Sequence, residues 1–130
     1  MLESTTTSTE GFRTVSEIDG SELTIDTDTE TDPSPTETLL ASYAACYTVA
    51  LRIGAQQRDA DDLGRIEIDA EADRDDEHDL EAIRFTIGVE ADESDETLDA
   101  AVSRANDLCH VHDAVREELH ADVGIHGDAF

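Results

Sequence analysis

Residues 34–57 read SPTETLLASYAACYTVALRIGAQQ, and how this stretch folds decides how the rest of the chain is arranged. Of the 130 residues in the chain 34 are Asp or Glu, yet the only charges here are Glu37 and Arg52. Leu39, Tyr43, Cys46, Ala50 and Ile53 follow one helical rail, and Leu40, Tyr47, Leu51 and Ala55 follow a second. A helix that is apolar over so much of its circumference belongs in an interior. Ser34 is placed as its N-cap and Pro35 at its first position. Glu37 closes a capping box by reaching back to the Ser34 amide. The thiol of Cys46 then lies in a buried helix, as packing or as chemistry.

The chain length implies one domain, residues 1–130, with residues 1–10 a Ser/Thr-rich arm or edge strand. With 4% aromatic residues and no Trp, the core has to be built mainly from Ala, Val, Ile and Leu. A helix buried on all sides in so small a chain needs cover from a second copy, so a homodimer is expected. The formal net charge of −26, with Arg the only cationic side chain beside His, argues against binding nucleic acid or an anionic membrane. The sharp periodicity argues against disorder. The composition fits a halophile's protein, because at ~1 M salt the Debye length falls to ~3 Å and acidic self-repulsion is screened. MLESTTTSTE has neither a basic start nor an apolar run, and the 39–55 run is short and interrupted for a membrane span. The protein is therefore expected to be cytoplasmic, where two cysteines are more often reduced, catalytic or metal-binding than a permanent staple.

Outside the helix, Phe12 to Ile18 and Leu23 to Asp26 read as strands joined at Asp19-Gly20. A connector is read at 58–64. Ile66, Ile68, Ala70 and Ala72 alternate with acidic residues, and Ile83, Phe85, Ile87, Val89 and Ala91 alternate with mostly polar ones. This pattern gives an antiparallel sheet with one face wet and helices on the other. The acidic run Asp73 to Asp79 is the solvated turn between those strands. Ser94 caps a second helix with an apolar face through Cys109, and its rhythm runs on to Leu119. Ala121 to His126 is a last strand. The class is α+β, and His78, His120 and His126 read as surface residues.

Each cysteine taken alone reads more readily as a small buried hydrophobe than as a nucleophile. The local words add more. PTETLLASYAAC followed by VALRIGAQQR resembles the first-cysteine motif of the OsmC/Ohr family, the osmotically inducible and organic hydroperoxide resistance proteins, where the pattern is about P-x-E-L-L-x-A-x-x-A-x-C. Cys109-His110-Val111-His112 resembles that family's second-cysteine motif, C-P-V-[SH], with His110 in place of Pro, which leaves the helix unbroken. The separation of the motifs and the order of the elements fit as well.

The resemblance implies a two-layer fold with antiparallel sheets, a long buried central helix, a second Cys-bearing helix, and an intertwined homodimer. It also implies thiol-dependent reduction of peroxides, organic hydroperoxides in particular, without cofactor or metal. Cys46 would attack the O–O bond, and Cys109 would resolve the resulting sulfenic acid to a disulfide that an external thiol reduces. Arg13, the only Arg before the helix, is the candidate cation beside Cys46, oriented by Glu37. In the hydroperoxide-resistance branch the orienting Glu stands one position earlier, where this chain has Thr36. Arg52, rotated by roughly 240° from Cys46 at ~100° per residue, points elsewhere. Two other readings of the residues stay open. Cys109, His112, His110 and Cys46 could hold a zinc ion, or the fold could serve as a non-catalytic small-molecule binder or structural dimer.

Overall fold

The structure is a computed structural model that describes residues 1–60 and 62–130; Asp61, inside the connector read at 58–64, lies outside the described residues. The chain forms two compact units, Met1–Leu39 and Leu40–Phe130. In the first unit, β1 (Thr5–Thr7), β2 (Arg13–Ile18) and β3 (Ser21–Asp26) make an antiparallel sheet in that order. Asp19 and Gly20 both take positive φ, 47° and 82°, the conformation a two-residue hairpin needs to match strand twist. Asp26 is nearly buried, and its carboxylate accepts the Asp28 amide at 2.9 Å. The first turn of α1 (Pro35–Gln57) closes as the sequence predicts. The Ser34 amide donates to Glu37 at 3.0 Å, and the Glu37 amide donates back to the Ser34 hydroxyl at 3.2 Å.

The second unit carries the rest of α1, then β4 (Ile66–Arg74), β5 (Leu80–Val89), α2 (Asp95–Leu108), α3 (His110–Ala114) and β6 (Asp122–His126). Its sheet runs β4-β5-β6. The β4 and β5 strands pair antiparallel as expected, but β6 lies parallel to β5, with Phe85 opposite Val123 and Ile87 opposite Ile125. The difference is topological: α2 and α3 intervene between these strands, and a helical crossover returns the chain in the same direction. The alternation on β4 places Glu67, Asp69, Glu71 and Asp73 in solvent. Arg84 on β5 pairs with Glu71 and Asp73 there, and holds the Asp73 carboxyl below its ordinary range.

The core is built where Tyr43, Tyr47, Ala50, Leu51 and Ala55 of α1 meet Phe85, Ile87 and Val89 of β5 and Leu98, Ala101 and Ala105 of α2. Phe85 sits edge-on to both phenols, with centroids 4.8 Å from Tyr43 and 5.4 Å from Tyr47. The remainder of α1 departs from the expectation of burial on all sides. Leu39, Val49 and Ile53 are 39%, 59% and 41% exposed, because one chain supplies layers on only one side of the helix. At 23 residues α1 is also long and apolar enough by composition to cross a membrane, which corrects the reading of the shorter 39–55 run, although Tyr43, Tyr47, Ala50, Leu51, Gly54 and Ala55 are packed in the core.

The α1–α2 approach is set by Gly54, where an added Cβ would stand 2.9 Å from the Ala101 carbonyl oxygen and 3.2 Å from the Ala105 nitrogen. Both obstacles are backbone, so neither can swing away. Alanine is the better helix former by about 1 kcal/mol, but overpacking of this kind costs ~1–3 kcal/mol. Gly54→Ala is expected to lower the melting temperature in molar KCl; an unchanged or raised value would show that the two helices have slack.

Candidate active site

Two tyrosines fix the buried side of α1. Tyr43, one turn before Cys46, accepts the Ala121 amide on its hydroxyl oxygen at 3.0 Å, and that hydroxyl is also bonded to Nδ1 of His112 at 2.5 Å. Since the oxygen already accepts, its own O–H is available to donate to the imidazole. Tyr47, next to Cys46, donates to the Asn106 side chain at 2.7 Å. Burial pushes both phenols up, against the lowering effect of the Ala121 amide on Tyr43, so both stay neutral donors. These bonds tie α1 to α2, to α3 and to the segment leading into β6.

Opposite them the helix continuity expected through Cys109 fails. The α2 helix ends at Leu108, Cys109 is extended at φ −75° and ψ 111°, and α3 starts at His110. No proline forces this break. Cys109 closes α2 with its amide on the Ala105 carbonyl at 2.9 Å and opens α3 with its sulfur, which accepts the His112 amide at 3.4 Å. The thiol thus does what a Ser or Asp side chain does at a helix start. A second surprise is His120, read as a surface residue but partly buried and stacked on His112 with ring centroids 3.9 Å apart.

Cys46 and Cys109 are brought close enough for each to shift the other's titration, both as free thiols. Cys46 is partly exposed and Cys109 is buried. Burial alone would raise the Cys46 thiol. The backbone amides of Val111 and His110, together with the Cys109 thiol, outweigh it and hold Cys46 below the ordinary cysteine value. Cys109 goes the other way. Its burial dominates, the His112 amide offsets only part of that, and the thiol is pushed up. The pair is therefore asymmetric, with the accessible member more acidic.

The remaining predicted residues fall elsewhere. Arg13 is exposed at the first position of β2, opposite Asp26, in the first unit. Glu37 is in that unit too, in the capping box. Arg52 turns away as its helical phase predicts, donating to the Gly64 carbonyl at 2.7 Å and lying 3.6 Å from Asp62. Among the described residues no group of three or more His, Cys, Asp or Glu side chains could hold a metal ion. The zinc alternative also loses His112 Nδ1, which is engaged by Tyr43. Sequence reasoning missed Tyr43 and His120 as parts of the site. A buried phenol needs a partner, but nothing local says which.

A family model described as OsmC-like protein matches residues 27–123. An uncharacterised protein of Haloferax volcanii is 46% identical over 129 residues, covering 99% of this chain and 98% of that one, and a halophile's relative fits the acidic composition. Among solved structures, the OsmC-like protein of Mycoplasma pneumoniae superposes with a TM-score of 0.87 at 14% identity, over 98% of this chain and 96% of that one. The organic hydroperoxide resistance protein OhrB of Bacillus subtilis superposes at 0.69 and 21% identity, over 95% of this chain and 98% of that one. At such identities these two structures show a shared fold.

The asymmetry predicts the order of alkylation. Under limiting iodoacetamide near neutral pH, Cys46 should be labelled first, with a rate that levels off below the range of a free cysteine, while Cys109 is labelled only on unfolding. Labelling of both at one rate, or of Cys109 first, would contradict it; peptide mass mapping reads the result.

Proposed function

The chain belongs to the OsmC-like protein family, and from that membership we propose that it is a thiol-dependent peroxidase that reduces organic hydroperoxides or hydrogen peroxide. The observation that carries the proposal is the pairing of an acidified, accessible Cys46 with a buried Cys109. Resistance to organic hydroperoxides is what the matching Bacillus subtilis and Legionella pneumophila structures are named for.

The chemistry follows from the thiol pair. The Cys46 thiolate attacks the terminal oxygen of ROOH, the O–O bond breaks, and the alkoxide takes a proton and leaves as an alcohol. Sulfur has gone from thiolate to sulfenic acid, a two-electron oxidation. Amides that stabilise the starting thiolate also supply donors beside the reacting oxygens as charge moves onto them. Cys109, as a thiolate, then attacks the Cys46 sulfur and displaces hydroxide, which leaves as water with the proton Cys109 gave up. An external thiol reductant takes the disulfide back to two thiols. No cofactor enters any step.

By the family pattern Arg13 is the cation that would lower Cys46 further, and Glu37 the carboxylate that would orient it. A second copy is proposed to cover Leu39, Val49 and Ile53 on α1, giving a homodimer. In a dithiol-coupled peroxide assay Cys46→Ser is expected to abolish turnover, and Cys109→Ser, given peroxide without dithiol, to consume about one equivalent and stop with a sulfenic acid that dimedone traps. Equal activity in the wild type and both variants would overturn the mechanism. A wild type that consumes no peroxide would leave the non-catalytic dimer as the surviving account.

A further inference from the structure

The Tyr43–His112–His120 cluster is not used by the steps above. Its His112 belongs to α3, a helix of five residues. So short a helix has no stability of its own, and its N-cap is the sulfur of Cys109 itself, 3.4 Å from the His112 amide. Something outside α3 has to hold that amide where it is. The His112 ring is held on two sides, by the Tyr43 hydroxyl at Nδ1 and by the His120 ring stacked at 3.9 Å.

We propose that His112 is a positioning residue for the second thiol: its pinned ring keeps its own backbone amide on the Cys109 sulfur and that sulfur beside Cys46. The proposal rests on the reading of Cys46 and Cys109 as a working redox pair. Nothing in it requires that the oxidant be a peroxide.

The device works only with His112 neutral. With the Tyr43 oxygen already accepting the Ala121 amide, the assignment that uses the Tyr43 O–H has it donating to Nδ1. A protonated imidazole would turn Nδ1 into a donor and leave two opposed hydrogens in a partly buried contact. The groups facing the ring are Tyr43 and Tyr47 from α1, His120 from the segment before β6, and Asp113 from α3. Burial first, then the neighbouring His120, disfavours the charged form, and Asp113 opposes them only in part. His112 is thus held below the usual imidazole value, and the seat is lost only as pH falls beneath that range.

Closure of the disulfide can be timed without peroxide. Reduced protein mixed with 5,5′-dithiobis(2-nitrobenzoate) forms a mixed disulfide at Cys46 in a phase whose rate depends on reagent concentration. The Cys109 thiolate then attacks the Cys46 sulfur, the S–S bond to the aromatic thiolate breaks, and a second nitrothiobenzoate is released at a rate independent of reagent. The proton of Cys109 goes to solvent. For wild type the second rate should fall by about one decade per pH unit and steepen toward about two below the ordinary imidazole range, as a second required deprotonation enters.

His112→Leu, which lacks an acceptor for Tyr43, should close roughly fivefold or more slowly near pH 8, the size of one lost hydrogen bond. His112→Asn, with an oxygen near the place of Nδ1, should recover most of that loss and show no acid steepening. Leu closing at the wild-type rate, or steepening that persists in Asn, would overturn the proposal. Should the Leu variant fail to fold by far-ultraviolet circular dichroism, the pH profile of the Asn variant decides alone. If wild type closes the disulfide with the expected profile but consumes no peroxide, the peroxidase reading fails and this one stands.

Discussion

The hydroxyl of Tyr43 is the contact on which the second unit depends. It sits on the buried side of α1, where an unpaired phenol would cost about 1–3 kcal/mol, and it is satisfied by the His112 ring and the Ala121 amide at once. Tyr47, one turn on, is satisfied by Asn106. Two polar tips on an otherwise apolar helix face therefore specify which parts of the chain lie against it, something dispersion and apolar burial do without direction. Cys46 stands between the two tyrosines in sequence, so the bonds that place them also place it at the junction of α2 and α3.

That junction makes two chemically different thiols from two identical side chains. The break at Cys109 turns the amides of His110 and Val111 toward Cys46 and the amide of His112 toward Cys109. Cys46 is also partly open to solvent, so the amides win over desolvation; Cys109 is 1% exposed, and desolvation wins. A pair in which both thiols were acidic would repel as two thiolates, and a pair in which neither was would have no nucleophile at neutral pH. The observed arrangement avoids both.

Much of this was legible in the residues. The capping box at Ser34 and Glu37, the Asp19-Gly20 hairpin and the alternation on β4 and β5 are local signals with local causes, and each appears where the sequence puts it. The helix break at Cys109 was not legible, because the apolar rhythm runs straight through it and no proline marks it. At the break a sulfur serves as a local cap, a residue type that does not announce a helix start, and the bond between Tyr43 and His112 beside it is tertiary. The same holds for His120, whose place is set by stacking on a ring eight residues earlier, and for the parallel pairing of β6, which periodicity cannot distinguish from antiparallel. Leu39 and Ile53 read as buried from their helical phase, yet one chain leaves them partly open.

The account stands on the two sulfurs being partners within one chain. Reduced protein given one equivalent of cumene hydroperoxide, quenched with an alkylating agent and digested without reductant, tests this directly by mass spectrometry. The account predicts a peptide containing Cys46 joined by a disulfide to the peptide containing Cys109, at a yield matching the peroxide consumed. Peroxide consumed while both cysteines are recovered alkylated, or Cys46 found joined to a second Cys46, would contradict it.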